Sequence, residues 1–206
     1  MNKSIRHHIF RYGFVYLLLI VLSISLWTWL VPAKVRYKAN EKVGIFAGIK
    51  SGDESLFTSV IEKEKIETIK QIDVYTSDPS YSLFGTMISS VGQHSCDFFL
   101  LPIGYFDKNI ISSLCLEIDE SLLKETFGDK YDCYSLDSKT YGLKLFKEDG
   151  SLFLNDFISY EDELSKEYIL VFNKTSMNNM SFHKDNNGKT DNGVKAARAL
   201  LNYEKE

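Results

Sequence analysis

The sequence predicts an α/β protein: one transmembrane helix, then a single domain with a mainly parallel sheet and helices on both faces. Three observations carry this. Tyr12–Val31 is a charge-free run, close to the ~20 residues that a helix needs to cross a bilayer. Three short apolar runs, Val43–Ala47, Ile72–Tyr75 and Phe98–Leu101, then recur with helical patterns between them, as in a parallel sheet. Each run is unbroken rather than alternating, which marks strands covered on both faces.

In chain order, residues 1–11 form a basic tail with Lys3, Arg6 and Arg11 and no acid. Residues 12–31 are the membrane segment, with Trp27 and Trp29 at its far end, where indole rings favour the headgroup layer. Pro32 stops the helix. A cleaved secretory signal is the alternative, but the apolar run exceeds the usual signal core, and an uncleaved anchor is the preferred reading. Residues 32–41 are a juxtamembrane linker. Its Lys34, Arg36 and Lys38 nearly balance the tail, so the orientation rests on the commoner arrangement, with the tail in the cytoplasm and the domain outside.

Residues 42–206 are the α/β domain. Val43–Ala47 is a buried strand. Ser51 and Glu54 have the spacing of a capping box, and Leu56, Phe57, Val60 and Ile61 follow at helical spacing. Ile69–Thr76 is the second strand. Asp78-Pro79 opens a second helix with Leu83, Phe84, Met87, Ile88 and Val91 as its apolar face. Asp97–Leu101 is the third strand. Short helices are expected over 107–114 and Ser121–Phe127. Tyr141–Lys147 is an exposed strand, turned at 148–150 and returned by Ser151–Leu154. Glu167–Asn173 is the fourth buried strand. Asn178–Asn192 reads as a polar, weakly ordered loop, and Asp191 or Thr190 caps a last helix.

Composition limits the function. Without the tail, 21 Lys and Arg face 28 Asp and Glu, and no basic cluster stands beyond the linker, which argues against nucleic acid. The three cysteines, Cys96, Cys115 and Cys133, form no CxxC pair. His94-Ser95-Cys96 is a chance neighbour pair rather than a metal site. A Cys115–Cys133 disulfide is an alternative to buried, inert thiols. No phosphate loop, GxSxG elbow or HExxH is present, so no catalytic residue, metal or cofactor is assigned. Ligands of parallel sheets sit at the carboxyl ends of the strands. There, Asp53 and Glu54 offer carboxylates for a hydroxyl, against a competing role as helix caps. Tyr81 and Tyr105 offer rings for stacking on a sugar, against burial.

The phrases KVGIFAG, CDFFLLP, LCLEID, YGLKLF, EYILVFNK and VKAARALL, in this order, resemble the first lobe of type II extracytoplasmic solute-binding proteins of ABC importers. The resemblance spans residues 42–201. It implies a solute-binding-protein-like lobe, no catalysis, an ABC permease as partner and a small polar solute, possibly a sugar, as ligand. Two departures stand out. About twenty residues separate YGLKLF from EYILVFN, room for a hairpin where the family carries a second lobe. The family's lipid-anchored cysteine is also missing, and the apolar segment replaces it. The expected function is a membrane-anchored, extracytoplasmic, single-pass solute-binding domain. The alternative is an anchored interaction module with one lobe and no solute site.

Overall fold

A computed structural model describes residues 3–30, 37–50, 53–105, 108–146, 153–154, 157–158, 167–184 and 188–203. The chain forms two units, Met1–Tyr37 and Lys38–Glu206.

The first unit holds helix α1, Lys3–Leu30, whose side chains are described from residue 11 to 26. Among the described residues no helix is long and apolar enough to cross a membrane. This overturns the expected transmembrane helix over 12–31. With it fall the lipid partner through 12–31, the single-pass placement in a cell membrane, and the reading as a membrane-anchored solute-binding component of an ABC importer with its permease and solute. The side chains of Trp27 and Trp29 lie outside the described residues, as do Pro32, Lys34 and Arg36.

The second unit is a mixed α/β domain. Its strands are β1 (Lys42–Ala47), β2 (Gln71–Thr76), β3 (Phe98–Pro102), β4 (Cys133–Leu136), β5 (Lys139–Lys144) and β6 (Tyr168–Phe172). They form one sheet in the order β2-β1-β3-β6-β5-β4. β1 pairs in parallel with β2 and β3, as the apolar runs predict. The pairs β3–β6, β5–β6 and β4–β5 are antiparallel. Two of the five pairings are therefore parallel and three antiparallel, which corrects the mainly parallel expectation. The reason lies in β4, which the sequence reading missed. It turns into β5 through Asp137 and Ser138, both at positive φ (48° and 65°). A two-residue turn with both residues left-handed joins antiparallel neighbours only.

Helices cover both faces. α2 (Glu54–Lys63) places Phe57, Val60 and Ile61 on one face. α3 (Phe84–Met87), a π turn over Ile88–Gly92 and α4 (Gln93–Ser95) place Phe84 and Ile88 on the other. The expected start at Asp78 fails because the Asp78 carboxylate takes the Ser80 N–H (2.9 Å) in a local turn. α5 (Lys108–Leu114) shares that second face, while α6 (Glu120–Phe127) and α7 (Asn192–Leu201) lie on the first.

Strand alternation divides the apolar residues between two cores. Ile45, Phe98, Leu100, Leu170 and Phe172 face the α2–α6–α7 side. Phe46, Phe99, Leu101, Ile169 and Val171 face the other. Phe127, Phe172 and Phe182 meet with ring centroids 4.8–6.2 Å apart, the range favourable for aromatic pairs.

The turn expected at 148–150 lies outside the described residues. Past it, Phe153 donates its N–H to the Leu145 carbonyl (2.9 Å), but residues 153–154 form a turn rather than a return strand.

Candidate functional site

The sequence directs attention to the carboxyl ends of β1, β2 and β3. The structure uses most of the polar groups there internally. Asp53 is the N-cap of α2, and its Oδ1 accepts from the Ser55 N–H at 2.9 Å and from the Ser55 hydroxyl. The Ser55 bonds hold its carboxyl below the ordinary range. The cap of the expected capping box is thus Asp53, and Ser51 lies outside the described residues. Glu54 accepts from Thr76 Oγ1 at 2.6 Å, tying the start of α2 to the end of β2. Tyr105 ends a 3-10 turn after β3 and packs half-buried on the second core. Tyr81 is 58% exposed. Asp53 and Glu54 are thus neighbours on one helix end, Tyr105 belongs to the core side, and Tyr81 faces solvent.

The β1 terminus itself is closed. Tyr168 donates its hydroxyl to the Gly48 carbonyl at 2.6 Å, and Ser77 and Ile49 take the Ala47 carbonyl. A Cβ on Gly48 would lie 2.7 Å from the Phe84 ring and 2.9 Å from Pro102 Cδ. Glycine is required there because neighbouring side chains fill the space that a ligand would need.

The opposite end of the sheet carries the largest polar assembly. Asp97 immediately precedes β3 and is buried. Its carboxylate accepts from the Gly44 N–H (2.9 Å), the Ser176 hydroxyl (2.5 Å) and Asn178 Nδ2 (3.1 and 3.2 Å). Burial pushes its pKa up, and the three donors oppose that shift. Asn173 Nδ2 donates to the Cys96 carbonyl (2.6 Å) and the Gln93 carbonyl (2.9 Å). Asn192 Nδ2 donates to the Asn40 carbonyl (2.7 Å), and its Oδ1 accepts from Thr68 Oγ1 (2.6 Å). The Asn178–Asn192 stretch was expected to be a weakly ordered loop. Asn178, Asn179 and Asn192 are instead buried and hold together segments more than 80 residues apart in the chain. Sequence composition gives no sign of this, because each amide finds its partner only after the fold is formed.

Beside this network lies a cleft of about 320 Å³ whose walls include Lys42, Asp73, Tyr75, His94 and Thr175. A wider groove of about 630 Å³ contains Lys139, Lys174, Lys184, His183 and Glu117. Two of its lysines are engaged: Lys139 lies 2.7 Å from Glu117, and Lys184 lies 3.4 Å from Asp119. A third groove, about 290 Å³, runs along β2 and is lined by Glu54, Ser55, Thr58 and Ile72–Tyr75. Glu54 is the sequence-assigned residue that this groove includes; Asp73, at its centre, was not singled out.

Cys96, Cys115 and Cys133 are free thiols. Burial raises all three thiol pKa values, those of Cys96 and Cys115 far above the ordinary range, so these two stay protonated and poor as nucleophiles. Among the described residues, no three His, Cys, Asp or Glu side chains stand close enough to hold a metal ion. No known protein family matches the chain, and no curated protein or solved structure matches it.

Proposed function

We propose that the Lys38–Glu206 unit is a non-catalytic binding module, a one-lobed α/β domain that recognises a macromolecular partner and encloses no small solute. The observation that carries this is the filled carboxyl edge of the parallel strands. Small-molecule sites bury most of their ligand, and here Tyr168, Phe84 and Pro102 occupy that space around Gly48. Beside it, Tyr81 and Leu83 are 58% and 52% exposed. Among the described residues of this unit, the only other large hydrophobic side chain so exposed is Met180. Paired apolar side chains on an otherwise polar rim suit a protein partner.

Two measurements test it. A thermal-shift screen of the full chain against mono- and oligosaccharides should give no shift; a shift abolished by Tyr105→Ala would overturn the reading. A photo-crosslinking residue at position 81 should capture one discrete partner in cells, and Leu83→Asp should abolish the adduct. Unchanged capture in that variant would remove the exposed pair from the interface.

A further inference from the structure

The two edges of the sheet are built differently. β4 is four residues long, with a register shift between Tyr134 and Ser135, and short, bulged edges resist further pairing. β2 is six residues long, registers with β1 along its whole length, and contains no proline, lysine or bulge. Its sequence, QIDVYT, favours extended structure.

The backbone groups on its outer side can be identified. Lys70 donates its N–H to the Glu41 carbonyl at 2.7 Å, and donors alternate in direction along a strand. The N–H groups of Ile72 and Val74 therefore face β1, while the N–H and C=O groups of Gln71, Asp73 and Tyr75 face outward. Among the described residues, no backbone group bonds to them.

Along this outer side runs the groove lined by Glu54, Ser55, Thr58 and Asp73. Glu54 and Asp73 already accept one bond each, from Thr76 and from Gln71 Nε2 (2.7 Å). Each carboxylate keeps further lone pairs for a second donor. A second copy of the chain paired edge to edge would bring like charges together, which is unfavourable across a strand pair. A segment carrying lysine or arginine at alternate positions presents its cations on one face of the sheet, where they meet Asp73 on the Tyr75 side, and its backbone supplies the missing ladder bonds.

We propose that β2 is a docking edge, and that its occupant is an extended, basic segment of a partner protein, which adds as a seventh strand. The inference rests on the binding-module reading and names the partner's chemistry. The solute screen above tests that reading separately, so the two can fail independently.

The probe is a capped heptapeptide of alternating lysine and valine, added to the full chain and followed by hydrogen–deuterium exchange. In the free protein the amides of Gln71, Asp73 and Tyr75 exchange fast, while those of Ile72 and Val74 are slow. With the peptide, the three fast amides should slow, less so at high salt, and a glutamate–valine peptide should leave them unchanged. Asp73→Pro removes the central outward donor without touching the β1 ladder, and should abolish the protection. Asp73→Lys keeps the backbone intact and should weaken it roughly tenfold or more by charge reversal. No protection with the basic peptide, or equal protection with the acidic one, overturns the proposal. So does protection of the same amides by self-association as protein concentration rises.

Discussion

Replacing Asp97 with alanine tests the polar assembly at the amino end of β3. The substitution leaves the Gly44 N–H and the Ser176 hydroxyl without their acceptor, and leaves Asn178 Nδ2 only the Lys42 (2.7 Å) and Ala39 (3.2 Å) carbonyls. A buried donor left unmade costs about 1–3 kcal/mol, and removing one member of a buried charged network about 3–5 kcal/mol. We take about 4 kcal/mol as the expected loss, a large share of the roughly 5–15 kcal/mol that holds a domain together. In a domain of this size it lowers Tm by roughly 10 °C. The only tryptophans are Trp27 and Trp29, outside the domain, so unfolding in urea is followed by circular dichroism rather than by tryptophan fluorescence.

Asp97→Asn adds a test of sign. Burial raises the folded pKa of Asp97 above its ordinary value of 3.8. The contribution of this raised group is complete below that value and fades as pH rises through the folded pKa. The wild-type advantage over the Asn variant should therefore be greatest in acid and shrink towards neutrality. A loss under about 1 kcal/mol in Asp97→Ala would refute the assigned role of this carboxylate, and an advantage that grows with pH would show that the donors outweigh burial in setting its pKa.

Two further outcomes follow from the same region. Gly44→Ala would bring a methyl group within steric conflict of the Ser95 carbonyl and the Cys96 backbone. Because backbone lies on that side, β1 and β3 must separate, and the full chain should lose its cooperative urea transition. Cys96 and Cys115 should resist a thiol reagent at pH 8 and react only in denaturant, whereas the half-buried Cys133 should react measurably in the native state. Fast native labelling of Cys96 would show that β1 and β3 do not close over it.

The sequence shows the fold wherever a run of side chains carries its own signal. Val43–Ala47 and Phe98–Leu101 are buried parallel neighbours, as unbroken apolar runs require, while Ile72–Tyr75, interrupted by Asp73, joins them half-buried at the edge. β4 was illegible because Cys133–Leu136 is short, and its turn, Asp137-Ser138, lacks the glycine that usually marks left-handed residues. The membrane reading of 12–31 rests on composition, and among the described residues no helix is long and apolar enough to cross a membrane. At the candidate site, Asp53 caps α2, the alternative role weighed for it, and Glu54 ties α2 to the end of β2. Asp73 was invisible because its position matters only once β2 is known to be an edge.

The asparagines hold the most polar end of the domain together. Where β1 and β3 begin and β6 ends, the carbonyls of Asn40, Lys42, Gln93 and Cys96 need donors away from bulk water. An amide carries two N–H donors and an acceptor on one rigid plane, so Asn173, Asn178 and Asn192 each satisfy separate segments at once. A hydroxyl has too few donors for that, and an ammonium would bury a charge. Within the network the Asp97 carboxylate accepts four bonds, two on each oxygen. At the other side of the sheet the balance differs: the outward backbone of Gln71, Asp73 and Tyr75 is a row whose ladder partners no described residue supplies.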